Sequence, residues 1–148
     1  MQSQHNQIMH SYFNAVLRLR QELRQKIRGL LSDNGHSDIN LEMTQVMYYI
    51  HYMAKDQRSN QQDIASKTGK SKSGVTSLID HLVARDFLIR EMDPADRRNN
   101  IITLTPTGLS FIEDIYDKVY QAYDLNKAGV HIKDIEKMTR MMEELMES

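Results

Sequence analysis

A single glycine, Gly69, constrains this sequence most, because the segments on either side of it both carry the marks of a helix. Asn60 suits the capping position of the first segment, with Asp63 three residues later as a variant of the capping box, and Ile64 and Ala65 open an apolar face. Gly69 ends that helix, since only glycine takes the left-handed terminal conformation without a steric cost. Ser71 then supplies a new cap. The second helix runs from Lys72 to about Arg85, with Val75, Leu78, Ile79 and Leu82 on its inward side. Its other side carries Ser73, Gly74, Thr76, Ser77, Asp80 and His81, which are polar or small. Two helices joined by a tight turn, the second with no apolar bulk on its outer face, offer a surface that a groove can receive.

After Phe87 the period changes from helical to two through Leu88, Ile89, Arg90, Glu91 and Met92, which predicts a strand. Residues 93–99, DPADRRN, are turn chemistry carrying the adjacent arginines Arg97 and Arg98. Asn100 to Thr105 returns as a β-branched strand with Ile102 and Leu104 on one face. Thr105 and Pro106 then suit the cap and first position of another helix. The expected product is a hairpin with a charged tip. Arginine favours a narrow, electronegative minor groove, and Asp96, two positions before Arg98, is expected to hold its guanidinium in shape.

Both ends of the chain read as long amphipathic helices. Ile8, Tyr12, Ala15, Leu19, Leu23, Ile27 and Leu30 fall on one face, and so do Leu109, Ile112, Ile115, Tyr116, Val119 and Tyr123. A final stripe, Ile132, Ile135, Met138, Met142 and Leu145, follows Gly129. Between them, residues 32–40 form a loop and Met43 to Ala54 a short helix with Met43, Val46, Met47, Ile50, Met53 and Ala54 on its apolar side. At 148 residues the chain supports one core, and the terminal stripes run beyond what that core can cover. A symmetric homodimer is the expected solution.

Charge is distributed unevenly. Residues 1–31 hold five Lys/Arg against one Glu and residues 55–100 hold nine against seven, whereas residues 101–148 hold five against nine. A nucleic-acid surface therefore belongs in the first two thirds. The absence of cysteine excludes disulfides and thiol-based sensing. The opening MQSQHNQIMH carries no Lys or Arg and leads into no apolar run, so a cytoplasmic location with no membrane partner is expected.

The stretch NQQDIASKTGKSKSGVTSLIDHLVARDFLIREMDPADRRNNIITLTPTG resembles the MarR family of bacterial regulators, most specifically in DPADRR followed by ITLTPTG. The resemblance implies a mainly α fold with a small β-hairpin wing. Residues 1–148 would form a single domain, with a winged helix-turn-helix lobe at 41–105 and dimerisation helices at 1–31 and 109–148. It further implies a transcriptional regulator of pseudo-palindromic double-stranded DNA, acting as a repressor relieved by a small molecule. By position, Lys72, Ser73, Gly74, Thr76 and Ser77 would meet the major groove, and as polar groups on the same helix Ser71 and His81 fit that role too. Arg98, steadied by Asp96, would enter the minor groove and Arg97 would reach a phosphate. Ser77 stands where a basic residue is common in the family.

Many relatives bind small aromatic acids in a crevice beside the dimer helices. The candidates here are Tyr12, Tyr48, His51 and Tyr52, with Arg18 available to pair a ligand carboxylate, while Tyr49 and Met53 share the packing face of Val46 and Ile50. Among rival functions, catalysis finds no HExxH, P-loop, GxGxxG, GxSxG or cysteine nucleophile, and no cofactor is expected. A metal-responsive regulator would draw on His5, His10, His36, His51, His81 and His131, whose spacings match no dense ligand motif. A winged helix used only as a protein–protein interaction module has no need of Arg97 and Arg98.

Overall fold

Side-chain caps set the starting points of the elements in the computed structural model, which describes residues 3–148. Ser3 caps α1 (Gln4–Asp33) and Asn40 caps α2 (Leu41–Tyr48). Asn60 caps α3 (Gln61–Thr68), Ser71 caps α4 (Lys72–Ala84), and Thr105 caps α5 (Pro106–Gln121). Each of these side chains accepts a hydrogen bond from a backbone N–H of the first turn. The short α6 (Leu125–Ala128) and the terminal α7 (Ile132–Glu147) follow. Gly69 ends α3 at φ 68°, as its position between the two caps requires.

The helix expected over Met43 to Ala54 is α-helical only to Tyr48. Residues Tyr49–Met53 widen into a π turn, closed by the Ala54 N–H donating to the Tyr49 carbonyl at 2.8 Å. The extra residue per turn rotates the end of the stripe away from the core. Met43, Val46, Met47 and Ile50 are buried, whereas Met53 is exposed.

Three short strands form the sheet, in the order β1 (Arg58–Ser59), β3 (Asn100–Leu104), β2 (Leu88–Met92), all antiparallel. The β2–β3 hairpin pairs Leu88 with Leu104 and Met92 with Asn100, the register the alternation implies. β1 has two residues and no apolar alternation, so the periodicity did not mark it. The sheet joins α5 through one close approach, because a Cβ on Gly108 would lie 2.1 Å from the Phe87 carbonyl oxygen. Thr105 secures that approach: its hydroxyl donates to the Asp86 carbonyl and accepts from Gly108 N–H at 2.9 Å.

The core lies within the lobe formed by α2–α5, the sheet and the C-terminal end of α1. Val46, Met47, Ile50, Ile64, Val75, Ile79, Leu82, Ile102, Ile112 and Val119 are completely buried. Of the 30 residues of α1 only Ile27 and Leu31 are buried, and α7 buries none. Leu17, Leu19, Met141 and Met146 on these two helices are among the exposed large apolar residues. Among the described residues no helix is long and apolar enough to cross a membrane.

Candidate nucleic-acid interface

Helix α4 turns one side into the core and leaves the other open. Val75, Ile79 and Leu82 are fully buried, while Lys72, Ser73, Gly74 and Ser77 are exposed along the opposite side. Ser71 caps the helix by accepting from Gly74 N–H at 3.1 Å, and a Cβ at Gly74 would approach that same Ser71 hydroxyl to 3.0 Å. The small residue thus leaves the capping oxygen uncrowded. Thr76 donates to the Lys72 carbonyl at 3.0 Å and accepts from the Gln61 amide at 2.8 Å. Asp80, an acidic intrusion on this side, is paired with Arg90 of β2.

The wing turn, residues 93–99, is shaped by its own aspartates. Asp93 Oδ1 accepts from Ala95 N–H at 2.9 Å, and Asp93 N–H donates to the Asn99 carbonyl at 3.0 Å. Asp96 Oδ1 accepts from the backbone N–H of Arg98 at 3.0 Å and Oδ2 from Asn99 Nδ2 at 3.4 Å. The expectation that Asp96 grips the Arg98 guanidinium is therefore corrected. A carboxylate two residues before an N–H can close an Asx turn on the backbone, and here that geometry engages Asp96. Arg97 and Arg98 are exposed and enter no ion pair among the described residues.

His81 stands apart from the other α4 candidates, in the last turn of the helix. Its Nε2 lies 2.9 Å from Asp38 Oδ2 in the loop after α1, and the Arg85 guanidinium binds the same carboxylate. The other aromatic candidates separate as well. Tyr48, His51 and Tyr52 come together, with ring centroids 4.8 Å apart for Tyr48–Tyr52 and 4.4 Å for His51–Tyr52; Tyr48 and Tyr52 pack onto Tyr116 of α5, whose ring in turn meets Tyr120. Burial raises the Tyr116 phenol and, with Tyr48 next to it, pushes Tyr120 up to about 12, so both rings stay neutral. His51 Nε2 meets Glu113 at 3.2 Å. Tyr12 instead packs on Phe13 and lines an apolar groove with Met138 and Met142 of α7, and Arg18 is exposed without an ion pair among the described residues.

A smaller cavity of about 230 Å³ opens beside this stack, lined by Tyr48, Tyr49, Tyr116, Gln45, Met53, Lys67 and Thr68. The sequence reading missed Gln61, Arg90, Asp38, Tyr116 and Tyr120 as members of these arrangements. Each acts across a distance of ten or more residues, where no local spacing marks a pair. Among the described residues no three His, Asp or Glu side chains converge as a metal site.

Residues 37–99 match the model of the MarR family. The HTH-type transcriptional regulator YcgE of Bacillus subtilis is 35% identical over 54 residues, covering 36% of this chain and 35% of its own. This chain spans between about a third and a little over half the length of the curated relatives it matches. Among solved structures, a point variant of Escherichia coli MarR complexed with operator DNA superposes with a TM-score of 0.68 at 17% identity, covering 97% of this chain and 99% of that one. The Bordetella bronchiseptica regulator BpsR, whose DNA binding is regulated by 6-hydroxynicotinic acid, superposes at 0.64 with 20% identity, covering 91% and 92%. The sequence match to the MarR family is confined to residues 37–99, and over the rest of the chain the likeness to MarR-family structures is one of fold.

In this lobe the Asp38 cluster fixes the far end of α4 to the loop that follows α1. Hydrogen bonds from Arg85 first and His81 second hold the Asp38 carboxyl down to about 2. A carboxyl depressed in the folded state contributes stability above its unfolded value of 3.8, and that contribution is lost as pH falls through about 2. The site is partly exposed, so solvent screening keeps the effect modest. Comparing urea midpoints at about pH 6 and about pH 3, the wild type should lose more stability than Asp38→Asn, which lacks the titrating group. Equal losses would show that the cluster does not hold α4.

Proposed function

We propose that this chain is a homodimeric transcriptional regulator that binds pseudo-palindromic double-stranded DNA, with α4 in the major groove and the wing in the adjacent minor groove. The observation that carries this reading is the side of α4 from Ser71 to Ser77, capped, small and uncovered, in the same lobe as a wing whose Arg97 and Arg98 are free of internal ion pairs among the described residues. Helix N-terminal N–H groups and short polar side chains suit base edges and phosphate, and exposed arginines suit the minor groove. The E. coli MarR complex with operator DNA supports the same docking by likeness of fold. In fluorescence anisotropy, Arg98→Ala should weaken binding to operator and to unrelated duplexes alike, and flatten the salt dependence by about one unit of slope for each phosphate that is no longer neutralised. Asp96→Ala should weaken binding by loosening the turn, whereas Asp96→Asn, which keeps the Oδ1 acceptor, should stay close to wild type. Arg98→Ala binding with unchanged affinity and slope would exclude the wing from the interface.

The dimer reading draws on α1 and α7. One groove of about 510 Å³ is lined by Leu19, Leu23, Tyr120, Tyr123, Leu125, Ile132 and Ile135, and a second of about 400 Å³ includes Ile8, Met9, Tyr12, Met138 and Leu145. Apolar faces of this extent are costly in water, and an obligate interface that covers such faces typically buries roughly 2,000 Å² or more. Light scattering at micromolar concentration should give the mass of two 17.3 kDa chains, and Met138→Glu should shift it toward one. A wild-type monomer in that measurement overturns the two-fold operator as well.

Relief by a small aromatic acid is the regulatory part of this proposal. The cavity beside Tyr48 and Tyr116 offers ring faces for stacking, and Lys67 and Thr68 of α3 offer a cation and a hydroxyl for a carboxylate. A ligand there would touch α3, which carries the turn into α4, and would act on DNA binding through any difference in its affinity for the DNA-competent arrangement. Salicylate should raise the Kd for operator by roughly 5- to 150-fold, the usual range of such coupling. Tyr48→Ala should remove that effect and Tyr12→Ala should leave it. Salicylate binding that leaves the operator Kd unchanged excludes this mode of control.

A further inference from the structure

The hydrogen-bond inventory at Thr76 points to a reading residue outside α4. A hydroxyl has one proton, and Thr76 donates its own to the Lys72 carbonyl at 3.0 Å. Toward Gln61, whose amide nitrogen is 2.8 Å away, Thr76 can therefore only accept. With the hydroxyl proton on the Lys72 carbonyl, the Gln61 amide faces Thr76 through one Nε2–H. The second Nε2–H and the Oε1 oxygen have no partner among the described residues. Gln61 is the first residue of α3, directly after the Asn60 cap, and is half-buried at the start of the helix that precedes the turn.

The edge left open is a donor and an acceptor at amide spacing, held against a side chain on the uncovered side of α4. In the major groove adenine presents an N6 amino donor beside the N7 acceptor, which an amide meets with two hydrogen bonds. Guanine offers two acceptors, cytosine a donor, and thymine an acceptor with a methyl group. A freely rotating amide would flip to suit either edge, so the clamp from Thr76 is what turns Gln61 from adaptable to selective. We propose that Gln61 is a specificity-determining residue that selects adenine at one position of each half-site, with Thr76 as the positioning residue that sets its amide orientation. This rests on the reading of α4 as the groove-facing helix.

The test begins by selecting operator from random duplexes with the wild-type dimer, then measures anisotropy on that operator with 7-deazaadenine placed at each adenine of one half-site. Removing N7 should weaken wild-type binding at one position in particular. Gln61→Ala should lose roughly 5- to 100-fold in affinity per half-site on the cognate operator, be indifferent to 7-deazaadenine at that position, and keep the wild-type salt slope. Gln61→Glu, which replaces the amide donor by an acceptor, should move the preference there toward cytosine. Thr76→Val should relax the same position, Thr76→Ser should restore it, and the Gln61→Ala/Thr76→Val double variant should be no worse than Gln61→Ala alone.

If Gln61→Ala keeps wild-type base preference at every position, or if the wild type tolerates 7-deazaadenine at every adenine, the Gln61 assignment is wrong while DNA reading by α4 stands. The 7-deazaadenine series uses unmutated protein, so it decides even where a variant folds poorly. If the wild type enriches no sequence at all, the groove-facing reading of α4 fails together with this inference.

Discussion

The complete burial of Val75, Ile79 and Leu82 along one side of α4 governs what the opposite side can do. A helix seated by three fully buried side chains has one rotational setting, because turning it would bring apolar bulk into water and polar groups into the core. Ser73, Gly74 and Ser77 are exposed as a consequence of that setting. Side-chain contacts then fix the helix along its length. Gln61 holds Thr76 near the start, Arg90 holds Asp80 in the middle, and Asp38 holds His81 and Arg85 at the end. None of these surface pairs contributes much stability individually, and their value lies in position. A recognition surface gains from rigidity because side chains already ordered lose less entropy on binding.

The wing follows the opposite logic. Its turn is organised by Asp93 and Asp96 accepting from its own backbone, which leaves the arginine side chains outside the internal hydrogen-bond pattern. Rigid backbone with free guanidiniums suits a contact made through charge, since phosphate attraction tolerates imprecise placement where base reading does not. On the proposed reading, the α4 surface and the wing would divide recognition by the kind of precision each needs.

Terminal helices supply the second constraint. α7 buries no residue in the single chain although its sequence is strongly two-faced, and an isolated 16-residue helix is marginal in water. Its order depends on what covers Ile132, Ile135, Met138 and Met142. The same holds for the N-terminal part of α1, which extends past the lobe with Ile8 and Leu17 exposed. In the dimer proposed above, assembly and helix formation would be one event, and the spacing of the two lobes would be a property of the pair. The tyrosine stack of Tyr48, Tyr52, Tyr116 and Tyr120 packs α2 against α5, so a change there can reach the lobe through packed rings.

The sequence by itself determined the elements whose causes are local. Asn60, Ser71 and Thr105 cap helices at the positions read from the chain, Gly69 adopts the left-handed turn, and the 88–104 hairpin has the alternation that sets its register. The caps and the glycine turn depend on residues within about four positions, and the hairpin on alternation within two neighbouring segments joined by a short turn. Tertiary structure alone decided the rest. The π turn at Tyr49–Met53 turns Met53 out of the stripe, and β1 exists only because β3 is there to pair with it. Tyr12 and Arg18 are not brought to Tyr48, because α1 outruns the lobe and its N-terminal part faces α7 instead. Asp96 turned to backbone N–H groups when its sequence spacing suited a guanidinium equally well. Gln61 and Thr76 are fifteen residues apart and meet across the helix-turn-helix. Periodicity and capping specify which face of an element is apolar, but which side chains meet across elements is decided by the packing of the whole lobe, where backbone, charge and volume are satisfied together.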